Sequence, residues 1–251
     1  MSVLKIDYLP IETKRVFKLM AEIRQLSAFT LIGGTALALQ IGHRLSEDLD
    51  FWVGDSELNK RNISEAIHLL AQKGCNVKLT TPSQNIIFEK INGRDLLLYV
   101  QDYSIDGVKV TFFARNDIPY RHFNQQKRIL DTNTSFAIMA EDGIFIMKSH
   151  VIHKRTRSRD LFDLKVLLAT GQYSVEDIFT SAAKADITCT PEYAKAVLTG
   201  QITLDKKDEG FSSLNIDANM ADIYEFFSIK INEYESCISE DYFLSQNIPK
   251  D

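Results

Sequence analysis

Apolar residues recur at helical spacing from Ile11 to Leu26, where Val16, Phe17, Met20, Ile23 and Leu26 share a face. This predicts an amphipathic helix packed on a sheet. Phe29 to Ile32 is a short apolar run that stops at Gly33-Gly34, and Thr35-Ala-Leu-Ala-Leu-Gln-Ile then resumes with good helix formers. The order is strand, turn, helix. After a polar break at His43 to Glu47, Leu49, Phe51 and Val53 alternate with Asp48, Asp50 and Trp52. A period of two predicts a strand with both aspartates on one face. Glu57 to Lys73 has Leu58, Ile63, Ile67, Leu69 and Leu70 in a mostly helical pattern, with Gly74 as the stop. Four short strands are predicted next: Asn76 to Thr80, Asn85 to Ile91, Asp95 to Gln101, and Val108 to Phe113. Asn92-Gly93 suits a hairpin turn between the second and third, and the third and fourth can also pair across Ser104 to Gly107.

Beyond Asp117 the pattern turns helical: Ala140 to His150, Arg159 to Ala169, Ser174 to Ala185, Pro191 to Leu198 and Ala218 to Ile231. A boundary is therefore expected near residue 118, dividing a sheet-containing domain (1–118) from a helical one (119–251). The fold class is α+β, a mixed sheet flanked by helices and followed by a mainly helical region. No repeat, low-complexity tract or long Gly/Ser linker occurs, so the halves are expected to pack closely, with a cleft between them as the natural ligand site.

Composition narrows the class only slightly. The 251 residues are 45% hydrophobic and 25% charged, as in an ordinary globular protein. The three cysteines, Cys75, Cys189 and Cys237, have no metal-ligand spacing, which fits reduced thiols and a cytosolic location. No apolar signal core and no stretch of about 20 apolar residues is present, so neither secretion nor membrane insertion is expected. A net charge of -5 argues against coating nucleic acid by bulk electrostatics. A local patch remains: Lys154, Arg155, Arg157 and Arg159, with Lys148, His150 and His153 upstream. By charge alone a solvated helix face is the favoured reading of this patch.

The candidate chemistry lies at the aspartate strand. Carboxylates at i and i+2 sit about 7 Å apart on one face, close enough to share divalent cations, and magnesium typically takes one or two carboxylates plus substrate phosphates. Acid-x-acid pairs also occur at Asp55/Glu57 and Glu233/Glu235, so the pair gains meaning only from context. The context is Gly33-Gly34 at a strand end, where bare backbone amides and a helix N-terminus suit phosphate oxygens and Thr35 can donate a hydroxyl. Taken alone, that diglycine would be a tight turn and the acid pair a surface strand end.

Ile32-Gly33-Gly34, thirteen residues, then Asp48-Leu49-Asp50-Phe51 resembles the signature of the DNA polymerase beta-type nucleotidyltransferase superfamily. The longer string from Gly33 to Phe51 is similar to the AbiEii/AbiGii toxin family, which includes MenT-like enzymes. Lys148, six residues, Arg155, three residues, then Arg159-Asp160-Leu-Phe-Asp163-Leu164 resembles that family's second motif. Together these resemblances span roughly residues 25 to 170. They imply a nucleotidyltransferase-type sheet core, an NTP substrate with Mg2+ on Asp48 and Asp50, and a catalytic role for those acids, Lys148 and Asp160. Gly33, Gly34, Thr35, Arg44, Ser46, Arg155 and Arg159 become candidate nucleotide contacts. His43 is as readily a helix-end histidine as a phosphate contact. Asp160 or Asp163 could orient Arg159 or Lys148, or form local helical ion pairs. Many superfamily enzymes carry a third carboxylate on a later strand, where this chain has Thr111.

The implied activity is toxin-like transfer of NMP to RNA, with tRNA favoured as acceptor and a cognate antitoxin protein as partner. Two alternatives stand beside it. One keeps the chemistry with an aminoglycoside-type small molecule or a protein as acceptor; the other is a non-catalytic nucleotide-binding homologue, which Thr111 would suit.

Overall fold

The period-two segment at residues 49–53 forms the centre of a mixed sheet, and the rest of the first half is arranged around it. The computed structural model describes residues 4–211, 216 and 218–246, and the chain divides into two compact units, Met1–Ile144 and Phe145–Asp251. The first unit runs α1 (Ile11–Ala21), β1 (Thr30–Ile32), α2 (Gly33–Ile41), β2 (Leu49–Val53), α3 (Lys60–Gln72), β3 (Val77–Leu79) and α4 (Ser83–Ile91). It continues with β4 (Val100–Ile105), β5 (Val108–Ala114), α5 (Ile118–Asn124), β6 (Arg128–Ile129) and β7 (Ala137–Met139). Among the described residues, its seven strands form one sheet in the order β3-β4-β5-β2-β1-β7-β6. β2 pairs parallel with β5 and β1 parallel with β7, and the remaining pairs are antiparallel.

Register explains which face is dry. Leu31 lies opposite Phe51, Phe51 opposite Phe112, and Leu31 opposite Ile138, so one face is a continuous apolar row. Phe51 stacks on Phe112 at 5.4 Å, Phe136 meets Phe51 edge-on at 4.9 Å, and Phe17 of α1 meets Phe136 at 5.7 Å. Such ring pairs add about 0.5–1.5 kcal/mol each beyond the area they bury. The expected helix from Ile11 to Leu26 stops at Ala21 and is followed by a short 3-10 turn at Arg24–Leu26, which still buries Leu26.

The segment from Asn85 to Ile91, expected as a strand, is instead most of α4. Its Ile86, Ile87, Phe88 and Ile91 suit either period, and Pro82 at the N-terminal boundary costs no hydrogen bond there. Asn92-Gly93 accordingly ends a helix, with Gly93 at φ +74°, and makes no hairpin. The hairpin of this region is β4 to β5. Its turn residues Asp106 and Gly107 both have positive φ, 50° and 88°, and Ile105 faces Val108.

The units divide later than residue 118 because β7 pairs with β1 and β6 with β7, which ties residues 128–139 to the first sheet. β7 is three residues, all buried, and too short to show any period. The division falls within α6 (Glu141–Val151), after which come α7 (Ser158–Ala169), α8 (Val175–Ala185), α9 (Pro191–Leu198) and α10 (Met220–Gln246). Ser174 and Asp177 form a reciprocal capping box at the start of α8, and Thr190 caps α9 ahead of Pro191. Leu161, Leu164, Leu167, Ile178, Ala182, Val197, Leu198, Ile223 and Phe227 are buried in this unit. Among the described residues, no helix is long and apolar enough to cross a membrane.

Candidate active site

The β1-β2 pairing sets Ile32 opposite Asp50, so the residues just after β1 lie beside the acidic end of β2. Gly33 has φ +75°, and a Cβ added to it would lie 3.3 Å from Asp50 Oδ2. A Cβ on Gly34 would lie 2.3 Å from Arg44 Nη2 and 3.3 Å from Ser46 Oγ. The diglycine is thus a bare stretch of backbone with a carboxylate, a guanidinium and a hydroxyl gathered against it. It also begins α2, whose first turn offers unpaired amides and the positive end of the helix dipole.

The loop between α2 and β2 is pinned from several sides. Thr35 Oγ1 donates to the carbonyl of Asp48 and lies 2.8 Å from Ser46 Oγ. Thr13 Oγ1 donates to Glu47 O at 3.0 Å, and Ser46 N to Tyr8 O at 3.2 Å. Arg44 is buried and donates from Nη1 to Leu45 O at 3.0 Å. Thr35, a candidate nucleotide contact, is buried, and its hydroxyl holds the residue just ahead of the strand carrying the acids.

Alternation along β2 puts Asp48, Asp50 and Trp52 on the face opposite the aromatic row. At one end of this face Trp52 is covered by Tyr120 of α5 and donates to Arg115 O at 3.0 Å. At the other end Asp48 and Asp50 are partly exposed. Thr111 of β5 lies in register with Asp50, and Asp102 of β4 in register with Thr111. Thr111 Oγ1 donates to Asp102 Oδ1 at 2.9 Å. Sequence reasoning marked Thr111 as a missing carboxylate and did not reach Asp102. Counting back from the Asp106-Gly107 turn would have found it, since each step away from a two-residue turn pairs one more residue across.

Among the described residues, no three His, Cys, Asp or Glu side chains are arranged as a metal site of their own. Two aspartates beside an open backbone cradle fit a hard cation whose remaining ligands are substrate phosphates, as magnesium prefers.

The second unit holds a buried charged cluster. Lys148 Nζ of α6 lies 2.6 Å from Asp160 Oδ1 and 2.7 Å from Asp163 Oδ2 of α7. The side chains of Lys148, Asp160 and Asp163 are 8%, 4% and 0% exposed, so this is an interior cluster and not the solvated helical pairing that sequence alone allowed. Arg155 Nε donates to Asp160 Oδ2 at 2.8 Å from the exposed side. Burial pushes the Asp160 carboxyl up, but the Lys148 ammonium and the Arg155 guanidinium outweigh it and hold the pKa below the usual value. Arg159 turns to a different partner, reaching Glu209 at 3.0 Å and the carbonyl of Gly210 at 3.3 Å.

Comparison with known proteins adds the family. A family model described as nucleotidyl transferase AbiEii toxin, type IV toxin–antitoxin system, matches residues 18–235. An uncharacterized protein of Aquifex aeolicus, aq_aa25, is 23% identical over 207 residues, covering 82% of this chain and 87% of that one. Among solved structures, JHP933 from Helicobacter pylori superposes with a TM-score of 0.50 at 18% identity, covering 95% of this chain and 98% of the other. MenT4, a nucleotidyltransferase toxin of Mycobacterium tuberculosis, gives 0.54 at 14% identity over 87% of this chain and 86% of its own. These two likenesses concern the fold.

Proposed function

Because this chain belongs to the AbiEii nucleotidyltransferase toxin family of type IV toxin–antitoxin systems, we propose that it transfers NMP from an NTP to an RNA acceptor, tRNA above all. The carrying observation is Asp50 Oδ2 standing 3.3 Å from where a Gly33 Cβ would be, which joins the acid pair to the bare turn. Asp48 and Asp50 would hold magnesium, which would supply charge neutralisation to the triphosphate and to the departing pyrophosphate. Gly33 and Gly34 give the phosphates a backbone surface without Cβ atoms, and the α2 N-terminus adds its dipole. Arg44 and Ser46, gathered at Gly34, contact phosphate oxygens, and Thr35 keeps Asp48 aligned with the turn.

Lys148 and Asp160 are assigned to catalysis and Arg155 and Arg159 to nucleotide phosphates. What supports this is a cluster whose ammonium is fixed in direction by two buried carboxylates, an arrangement that confines its charge to one place. The partner expected in the cell is a cognate antitoxin, and the expected compartment is the cytosol.

The test is transfer of label from each of the four NTPs, with MgCl2, to total tRNA, to an aminoglycoside pool and to a protein acceptor. The expected outcome is labelled RNA that vanishes in Asp48→Ala and Asp50→Ala. Label reaching only the small molecules or protein would replace the acceptor, and label surviving both substitutions would overturn the site.

A further inference from the structure

Nucleotidyl transfer needs somewhere for a proton to go. As the acceptor oxygen bonds to the α-phosphorus and the bond to pyrophosphate breaks, the acceptor hydroxyl must give up its hydrogen. Asp48 and Asp50 are assigned to a cation, which leaves the question of what stands beside them. Thr111 is the residue in register with Asp50 on the neighbouring strand, and Asp102 is its own partner on the strand beyond. Ser104 and Lys109 pair one step further along that face, with Lys78 of β3 opposite Ser104.

Strands lie about 4.8 Å apart, so Asp102 is about 10 Å from Asp50 across the sheet. That is too far for it to close a compact three-acid shell, in keeping with no such cluster among the described residues. Its carboxylate is occupied differently, accepting the hydroxyl hydrogen of Thr111 at 2.9 Å. A threonine hydroxyl has one hydrogen and two lone pairs. Once that hydrogen is committed to a carboxylate, the oxygen can only accept from anything else, and the charged partner makes it a stronger acceptor. Asp102 is well fixed for the purpose. Its backbone N donates to Thr81 Oγ1 at 2.8 Å, and its carbonyl accepts from Thr80 N at 2.7 Å and Thr81 N at 3.3 Å.

Resting on the function proposed above, we propose that Thr111 accepts the hydrogen bond of the attacking acceptor hydroxyl and that Asp102, acting through it, is the positioning residue that receives the proton. As the new phosphorus–oxygen bond forms, the acceptor hydrogen passes to Thr111 Oγ1 while the hydrogen already there passes to Asp102 Oδ1. Pyrophosphate leaves with the electrons of the broken bond, Thr111 ends neutral and Asp102 ends protonated.

The experiment uses the full chain, labelled NTP, MgCl2 and whichever acceptor the wild type labels. Thr111→Val keeps the shape and removes the hydroxyl; Asp102→Asn keeps the shape and removes the charge. Each is expected to lower kcat about a hundredfold, within the usual range for proton-transfer catalysis, while KM for NTP and calorimetric NTP binding stay within about twofold. Thr111→Ser, which restores a hydroxyl, is expected to recover most of the rate. If Asp102→Asn fails to fold, the Thr111 pair of variants decides alone. Undiminished kcat in Thr111→Val, a change confined to KM, or a Thr111→Ser enzyme as slow as Thr111→Val would overturn the pair while leaving the function standing. A wild type that labels no acceptor at all overturns the parent reading, and this one with it.

Discussion

Gly33 and Gly34 meet different obstacles, and their substitutions separate accordingly. Ala at 34 would push its methyl to within 2.3 Å of the buried Arg44 guanidinium, so Arg44 must leave the turn. Because the obstacle is the far end of a flexible side chain, we expect Gly34→Ala to change stability by less than about 1 kcal/mol and to weaken NTP binding in calorimetry by displacing the guanidinium. NTP affinity unchanged from wild type would remove Arg44 from the site. In the second unit, Asp163→Asn strips one of the two carboxylates from a buried ammonium that keeps Asp160, so the cost is that of one charged hydrogen bond, about 1.5–3 kcal/mol, and urea unfolding should show a midpoint lowered to match. A loss under 1 kcal/mol would mean that Asp160 alone suffices. These residues differ in how legible they were. Asp48 and Asp50 could be read because alternation fixes their common face. Asp102 becomes legible only once the Asp106-Gly107 turn is recognised, since its partner is fixed by a cross-strand register counted from that turn, and Arg159 could not be matched to Glu209 across fifty residues of sequence.

The elements show where local pattern decides and where it fails. β2, α2 and α7 to α9 carry strong periods or caps and stand where the sequence put them, whereas α4 was mistaken for a strand because Ile86-Ile-Phe88 satisfies both periods over so short a run. The turn signal at Asn92-Gly93 was genuine chemistry for a positive φ, but a helix end uses that chemistry as readily as a hairpin. Asp106-Gly107 carries the hairpin instead, and it offers a clean test. A Cβ on Gly107 would meet nothing within 4 Å, yet φ is +88°, so Gly107→Ala should cost about 1–2 kcal/mol from backbone conformation alone. A melting temperature equal to wild type would show that the turn can change type. Ser174→Ala should cost about 1 kcal/mol by opening both bonds of the α8 capping box, read in the same melts.

For the whole chain, acid sensitivity follows from the interior cluster. The Asp160 carboxyl titrates lower in the folded protein than in the unfolded chain, because Lys148 and Arg155 outweigh its burial. Its contribution to stability is therefore complete above the ordinary value near 4 and is lost as pH falls through the lower folded value. Unfolding free energy measured from pH 7 downward should fall steeply below about pH 4 in the wild type and more gently in Asp160→Asn; parallel curves would argue against the linkage. Excess NTP with MgCl2 should stabilise the protein, by about 2.7 kcal/mol at a hundredfold excess over Kd, and Asp50→Ala should abolish the effect. The fold class could be read from sequence, but the division at 144 could not, since three buried residues of β7 join the sheet without a pattern of their own. The hydroxyl of Thr35 bears on how such chains can diversify. By fastening the start of α2 directly to the carbonyl ahead of β2, it ties the turn to the acids by a contact that does not run through the residues in between. Insertions or deletions that leave Arg44 and Ser46 beside the turn can then accumulate over evolution without dismantling the chemistry, so the spacer can drift in length while its two ends stay stapled.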